Sequence, residues 1–235
     1  MEQYLGILFN VSTRYFLIAG VAFLVCYKIL YPYIASKKIQ AKLPAHQDYF
    51  REIGFSVITI LIFALVPYIF VFNPTIRSYT RLYSEISERG WLYYWLVFPI
   101  MVIIHDTYFY WTHRLMHLPG IYRWFHATHH ASTNPSPWAA YAFHPLEALV
   151  EVGIFPLFLF MLPIHRTHFF LFFLFSILYN VYGHLGWELY PKRFSESRLG
   201  RWINTSTAHN LHHRFFNGNY GLYLKFWDRI MNTLR

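Results

Sequence analysis

The stretch His105–His130, HDTYFYWTHRLMHLPGIYRWFHATHH, decides how the rest of the chain is read. It carries six histidines, and a further dense group returns near the end as His209-Asn210-Leu211-His212-His213. Residues three and four apart share a helix face. His113 and His117 therefore point the same way on a helix, as do His126, His129 and His130, and again His209, His212 and His213. Three such faces make a polydentate nitrogen site for transition metal. A single histidine is ordinarily a core or surface residue with other uses. Eight in three groups would need a hydrogen bond at every ring nitrogen if buried neutral, and coordination satisfies them together.

Composition sets the surroundings. Of 235 residues, 56% are hydrophobic, 22% aromatic and only 13% charged, whereas a soluble domain carries about a quarter charged residues. The single cysteine, Cys26, lies in an apolar run and has no partner for an intrachain disulfide. A net charge of +9 in so apolar a chain reads as basic bias beside anionic lipid rather than as a nucleic-acid footprint.

Working outward, the fold class expected is an all-α integral membrane protein. It has about four to five transmembrane or hairpin helices and a cytosolic helical cap around the histidines. Residues 1–235 form a single domain, and Met1–Thr13 lacks the basic start and small-residue cleavage site of a removable signal peptide. Spans are expected over 15–34, with Lys28 snorkelling, then 53–72, kinked at Pro67, 91–111, 146–163 and 168–183. The last two are near the lower limit of length. The metal-binding parts are 105–145 and 184–235. An up-down order places all histidine groups and the Lys-rich 36–51 loop on one side of the membrane, and the positive-inside rule makes that side cytoplasmic.

The boxes HRLMH, HATHH and HNLHH, with YWTHRLMH, AFHPLE, the lone Gly183-His184 and TAHNLHHRFFNGNYGLYLKFWDRI, resemble the fatty acid hydroxylase/sterol desaturase superfamily. The order and spacing are most similar to its sterol C5-desaturase branch, over roughly 108–230. The resemblance implies a non-haem di-iron site at the cytosolic membrane face. It also implies O2 as co-substrate and electrons from NAD(P)H through an external cytochrome b5- or ferredoxin-type donor. The reaction implied is desaturation or hydroxylation of a lipid C–H bond, with a sterol or sterol-like lipid favoured over fatty acyl, sphingolipid or other lipids. The basic tail residues Lys192, Arg193, Arg198 and Arg201 offer a dock for an acidic donor.

Thiolate-free imidazole ligation suits Fe, Zn or Cu, and this many rings exceed what one tetrahedral zinc uses. Two metal ions are therefore expected, and because zinc has no redox chemistry the oxygen activation that the resemblance implies favours iron, with zinc as a substitute in purified protein. The expected ligands are His113, His117, His126, His129, His130, His209, His212 and His213. His184 joins them by matching the family's isolated histidine; otherwise it is a buried ring bonded to Asn180 or Glu188. Where fatty acid 2-hydroxylases have a further histidine, this chain has Glu188, which either ligates or caps a helix.

Around the ligands, Asp106 is expected to orient a ligand imidazole, unless it pairs with Arg114 or Arg123. His144 and Glu147 are expected to orient ligands or lock their loop, and Asn180 and Asn210 to stand beside them. His105 is left out of the ligand set, and His46, His165 and His168 read as solvated. No separate protein acid, base or nucleophile is expected. Two other classes remain in view. A histidine-rich metal transporter would place its ligands near the bilayer midplane, and a zinc hydrolase would carry an HExxH-type base, which is missing here.

Overall fold

In hydrocarbon a backbone must satisfy its own polar groups, so apolar runs of this length fold as helices. The computed structural model describes all 235 residues. Helix α1 spans Glu2–Phe23 and continues in π geometry through Leu24–Ile29; α2 spans His46–Phe72 and α3 Gly90–Met116. These three are long and apolar enough to cross a membrane. After strand β1 (Leu82–Tyr83, between α2 and α3) and α3 come α4 (Pro145–Val152), α5 (Ile154–Met161), strand β2 (Ile164–His165), α6 (Arg166–Gly183) and α7 (Ser206–Phe215). The protein is an all-α membrane protein, as its composition demands.

Boundaries shift for local reasons. The first helix begins at Glu2 instead of near Tyr15, because Val11 and Tyr15 belong to one buried stripe that seats it on α2 and α6. Tyr31–Ile34 is a separate turn with Pro32 at its start. α2 begins at His46, where the Asp48 carboxylate accepts the Ala45 N–H at 2.9 Å. The apolar run over 146–163 is two short helices. Tyr108 donates to the Val150 carbonyl at 2.6 Å, and Pro156 has no N–H to continue the ladder across Gly153. Gly153 is required there, since a Cβ would stand 2.6 Å from the Tyr108 hydroxyl oxygen.

The up-down order is visible in what the connections touch. β1, which follows α2, pairs in parallel with β2, which precedes α6, so those two connections meet at one end of the bundle. At the opposite end, Lys38 donates to Asn134 at 3.0 Å, Gln40 to Asn210 at 2.9 Å and Arg51 to Ser132 at 3.1 Å. All three histidine boxes and the Lys-rich loop sit at that end.

His165 and His168 are not solvated. Both are buried: His168 donates from Nε2 to the Tyr94 carbonyl at 2.8 Å, and His165 from Nε2 to the Ser84 carbonyl at 2.8 Å. Their rings close the end of the bundle remote from the boxes. His46 is exposed, as expected.

Candidate metal centre

α3 ends inside the cluster, delivering His113 from its last turn and His117 as its cap residue. Two short helical turns, Tyr122–Phe125 and Ala127–His130, present the HATHH box, α6 ends in His184, and α7 carries HNLHH. Thr205 caps α7 by accepting the Ala208 N–H at 3.1 Å.

The nine imidazoles separate into two adjacent groups. His113, His117, His126, His130 and His212 form one, and His129, His184, His209 and His213 the other; within each group the ligand nitrogens lie within 4.8 Å of one another. The division follows helix geometry. Rings four apart go to the same group: His113 with His117, His126 with His130, His209 with His213. The ring three along, His129 in one box and His212 in the other, goes to the neighbouring group. His130 and His213, whose ring centroids are 4.8 Å apart, join the two.

Hydrogen bonds at Nδ1 fix which nitrogen faces inward. Nδ1–H of His113 donates to the Tyr220 carbonyl (2.9 Å), His212 to Gly218 (2.7 Å), His213 to Ser132 (2.9 Å) and His184 to Asn180 (2.8 Å). His126 donates to the Glu147 carboxylate at 2.6 Å. A carbonyl only accepts, so each ring carries its proton at Nδ1 and turns a bare Nε2 toward its neighbours. The Nε2 atoms of His113, His126 and His212 are buried without a hydrogen-bond partner.

In the second group, His184 and His213 bring two bare Nε2 lone pairs to 3.1 Å, with His209 at 3.1 Å and His129 at 3.3 Å from His184. Two lone pairs cannot hydrogen-bond each other. Imidazole nitrogens sharing one ion at about 2.0–2.1 Å would stand about 3 to 3.4 Å apart. The donor set therefore fits a cation in each group. Protonation is the other way to relieve such contacts, but burial opposes it: His126, His129, His130, His209, His212 and His213 are held well below the usual imidazole pKa, first by desolvation and then by neighbouring imidazoles. Burial lowers His184 to about 4.

The surrounding residues divide differently from expectation. Glu147 is the orienting carboxylate, through His126. Asp106 touches no imidazole and pairs with no arginine; it accepts the Tyr223 and Leu224 N–H groups at 2.7 and 3.1 Å, anchoring the terminal loop to α3. His144 caps α4 by accepting the Leu146 N–H at 3.3 Å. Asn180 serves His184 through its backbone carbonyl, while its side chain donates to Ala140 at 2.8 Å. Glu188 holds the start of α7, accepting from Thr207 N–H (3.1 Å), Thr207 Oγ1 (2.9 Å) and the Tyr182 hydroxyl, and contacts no ligand ring. Asn210 accepts from Gln40.

Asp228 was not singled out and matters more than Asp106. It accepts from the Tyr220 and Gly221 N–H groups at 2.9 and 2.8 Å and from Thr233 at 2.7 Å. This holds the very loop whose carbonyls at 218 and 220 orient His212 and His113. The pinning carbonyls have no side-chain signal; only the Trp227-Asp228-Arg229 triplet marked the region.

A cavity of about 230 Å3 opens beside the centre, lined mainly by aromatic and aliphatic residues. Its inner end includes Phe109 and Phe143, whose ring centroids lie 5.0 Å from His113 and 5.1 Å from His129.

Residues 98–233, more than half of the chain and all nine imidazoles, match the fatty acid hydroxylase family. The chain belongs to the fatty acid hydroxylase family. Within the fatty acid hydroxylases its similarity runs to the sterol desaturase branch. It is 31% identical over 225 residues to the Delta(7)-sterol 5(6)-desaturase of Leptosphaeria maculans, covering 94% of this chain and 58% of that one. It is 31% identical over 164 residues to a Delta(7)-sterol 5(6)-desaturase of Gibberella zeae, covering 70% and 49%. With the lathosterol oxidase of Homo sapiens it shares 32% over 192 residues, covering 79% and 60%. The chain thus spans about half the length of the curated relatives it matches. No solved structure gives a significant match.

Proposed function

We propose that this fatty acid hydroxylase family member is a membrane-bound di-iron oxidoreductase. It uses O2 and external electrons to desaturate or hydroxylate a lipid C–H bond. The observation that carries the reading is the pair of imidazole groups, in which the bare Nε2 atoms of His184 and His213 face one another at 3.1 Å while their Nδ1 protons are spent on fixed carbonyl oxygens.

His113, His117, His126, His130 and His212 would hold one ion, and His129, His184, His209 and His213 the other. Bound there, a pair of iron ions would supply oxygen activation and hydrogen abstraction, which no side chain can perform. Zinc would occupy the same nitrogens but has no redox chemistry.

The chain's own residues do the rest. Gly218, Tyr220, Ser132 and Asn180 carbonyls and the Glu147 carboxylate hold the rings in one tautomer and one orientation. Phe109 and Phe143 form dry walls where the cavity meets the imidazoles and keep water from the C–H bond being attacked. The apolar cavity positions a membrane lipid against that end. Two of the named relatives are Delta(7)-sterol 5(6)-desaturases and the third is a lathosterol oxidase, which supports a sterol or sterol-like substrate here.

The basic residues 37–51 share an end of the bundle with the boxes, which supports a cytoplasmic active face. Lys192, Arg193, Arg198 and Arg201 are exposed beside it. They would dock an acidic cytochrome b5- or ferredoxin-type donor drawing on NAD(P)H. Lipid mass spectrometry of cells with and without the chain tests the reading. Loss of two hydrogens from a sterol, or gain of one oxygen, is expected only with the chain present and is abolished by His129→Ala. An unchanged lipid profile in iron-replete cells with an active donor would contradict it.

A further inference from the structure

Helix α7 ends on Phe215, and the next residue, Phe216, turns the chain with φ 64° and ψ 1°. Its N–H closes the last turn on the His212 carbonyl at 2.7 Å. This left-handed position ordinarily takes glycine or asparagine, because a bulky side chain is strained there. Both residue types stand next in the sequence, as Asn217 and Gly218. A phenylalanine held in that conformation needs a contact that offsets the strain. Core burial does not supply it, since Phe216 is 37% exposed.

What the ring touches is the metal centre. Its centroid stands 5.0 Å from that of His130 and 6.5 Å from that of Tyr122, edge to face in both cases. Tyr122 in turn lies 5.9 Å from His130. All other rings against His130 are imidazoles of the cluster itself. His130 depends on such packing. His113, His126, His184, His212 and His213 are each fixed at Nδ1 by an oxygen, whereas Nδ1 of His130 is buried without a hydrogen-bond partner. Its Nε2 stands 3.2 Å from Nε2 of His117, and its ring meets His213 of the other group. A rotation of this one ring would therefore disturb both groups. His129 also lacks a partner at Nδ1, and it too packs on a phenylalanine, Phe143, at 5.1 Å.

On the two-ion reading above, we infer that Phe216 is a positioning residue. Its strained backbone aims a ring at His130 and does by packing what carbonyls do for the other ligands. The half-exposed ring also stands between His130 and solvent. A side chain that suits the left-handed backbone better would relax the chain and loosen the metal centre at once, which a residue serving the fold alone would not do.

The test loads the full chain in lipid nanodiscs with cobalt(II), which imidazole nitrogens bind and whose visible absorption reports its coordination. Transfer of the ion to a chelator is then followed. Phe216→Gly and Phe216→Asn both suit the backbone and both delete the ring. Their metal-free thermal midpoints are expected to stay near wild type, because relief of strain offsets the lost contact. Cobalt release is expected to quicken by about tenfold or more, with a changed visible spectrum. Phe216→Tyr, which keeps the ring, is expected to match wild type in both readouts. Wild-type release from both ring-less variants, or release from Phe216→Tyr as fast as from them, overturns the proposal, and so does a wild-type chain that takes up no cobalt. If one ring-less variant fails to fold the other decides, and collapse of both marks Phe216 as a residue of the fold and overturns the proposal too. Cobalt reads the nitrogens whatever the native ion, so this outcome is distinct from failure of the oxidase reading, which iron and lipid measurements decide.

Discussion

The carboxylate of Glu147 stands 2.6 Å from Nδ1 of His126, with both side chains almost fully buried. It is the only carboxylate bonded to any of the nine clustered imidazoles; the other oriented rings rely on backbone carbonyls. An anion at Nδ1 makes Nε2 of His126 the most basic donor in its group. Glu147→Ala is expected to weaken metal retention by about 10- to 100-fold, measured by competition with a chelator. Glu147→Gln, which keeps an accepting oxygen, is expected to lose less.

The separation into five and four imidazoles predicts separable loss of metal. His129→Ala and His184→Ala remove ligands from the four-membered group and are expected to lower metal content from two ions per chain toward one. His144→Ala, which deletes only a helix cap, is expected to leave metal content unchanged. Elemental analysis of the purified variants checks both.

Asp228→Ala frees the Tyr220 and Gly221 N–H groups and Thr233 at once. Loss of several buried bonds to a charged group predicts destabilisation of about 2–4 kcal/mol, read from thermal or denaturant unfolding. The carbonyls released orient His113 and His212, so the five-imidazole group is expected to lose its ion first. Asp106→Ala, which unfastens the same loop at Tyr223 and Leu224, is expected to act in the same direction.

How much of this was legible in the sequence follows from where information sits along a chain. The i,i+4 spacing put His113 with His117, His126 with His130 and His209 with His213 before any coordinates, because helix geometry is local. The separation of His129 and His212 into the opposite groups was not legible; it depends on how α7 docks against the HATHH turn. Glu147 was singled out and stands against His126, whereas Asp106 was assigned to an imidazole it never meets, since two helical turns of α3 carry it away toward Tyr223. The pinning carbonyls of Gly218, Tyr220 and Ser132 have no side-chain signature at all. His165 and His168 looked like loop residues because the backbone carbonyls of Ser84 and Tyr94 that receive them are some 70 to 80 positions away.

Acid is expected to empty and destabilise the centre. Burial holds the rings of His126, His129, His130, His209, His212 and His213 well below the usual value of 6.5, and His184 at about 4. Between those values the unfolded chain binds more protons than the folded one, so stability rises with pH. It is fully present above about 6.5 and is lost as pH falls toward about 4. Protons also compete with metal for Nε2. Thermal midpoints and metal content followed downward from about pH 8 are expected to fall together below about 6.5; a flat profile would contradict the burial of neutral rings.

Charge reversal on the exposed face, Arg198→Glu with Arg201→Glu, is expected to slow donor-driven turnover and flatten its salt dependence, while leaving metal content intact. Stopped-flow reduction by an acidic donor protein at low and high salt checks this.

The most direct test of the whole account is the metal stoichiometry and identity of protein purified without chelators, by elemental analysis with Mössbauer spectroscopy of iron-57-grown material. Two iron ions per chain, in two nitrogen-rich environments and coupled to one another, is the result predicted. A single tetrahedral zinc with five of the nine imidazoles free, or no metal on well-folded protein, would contradict it.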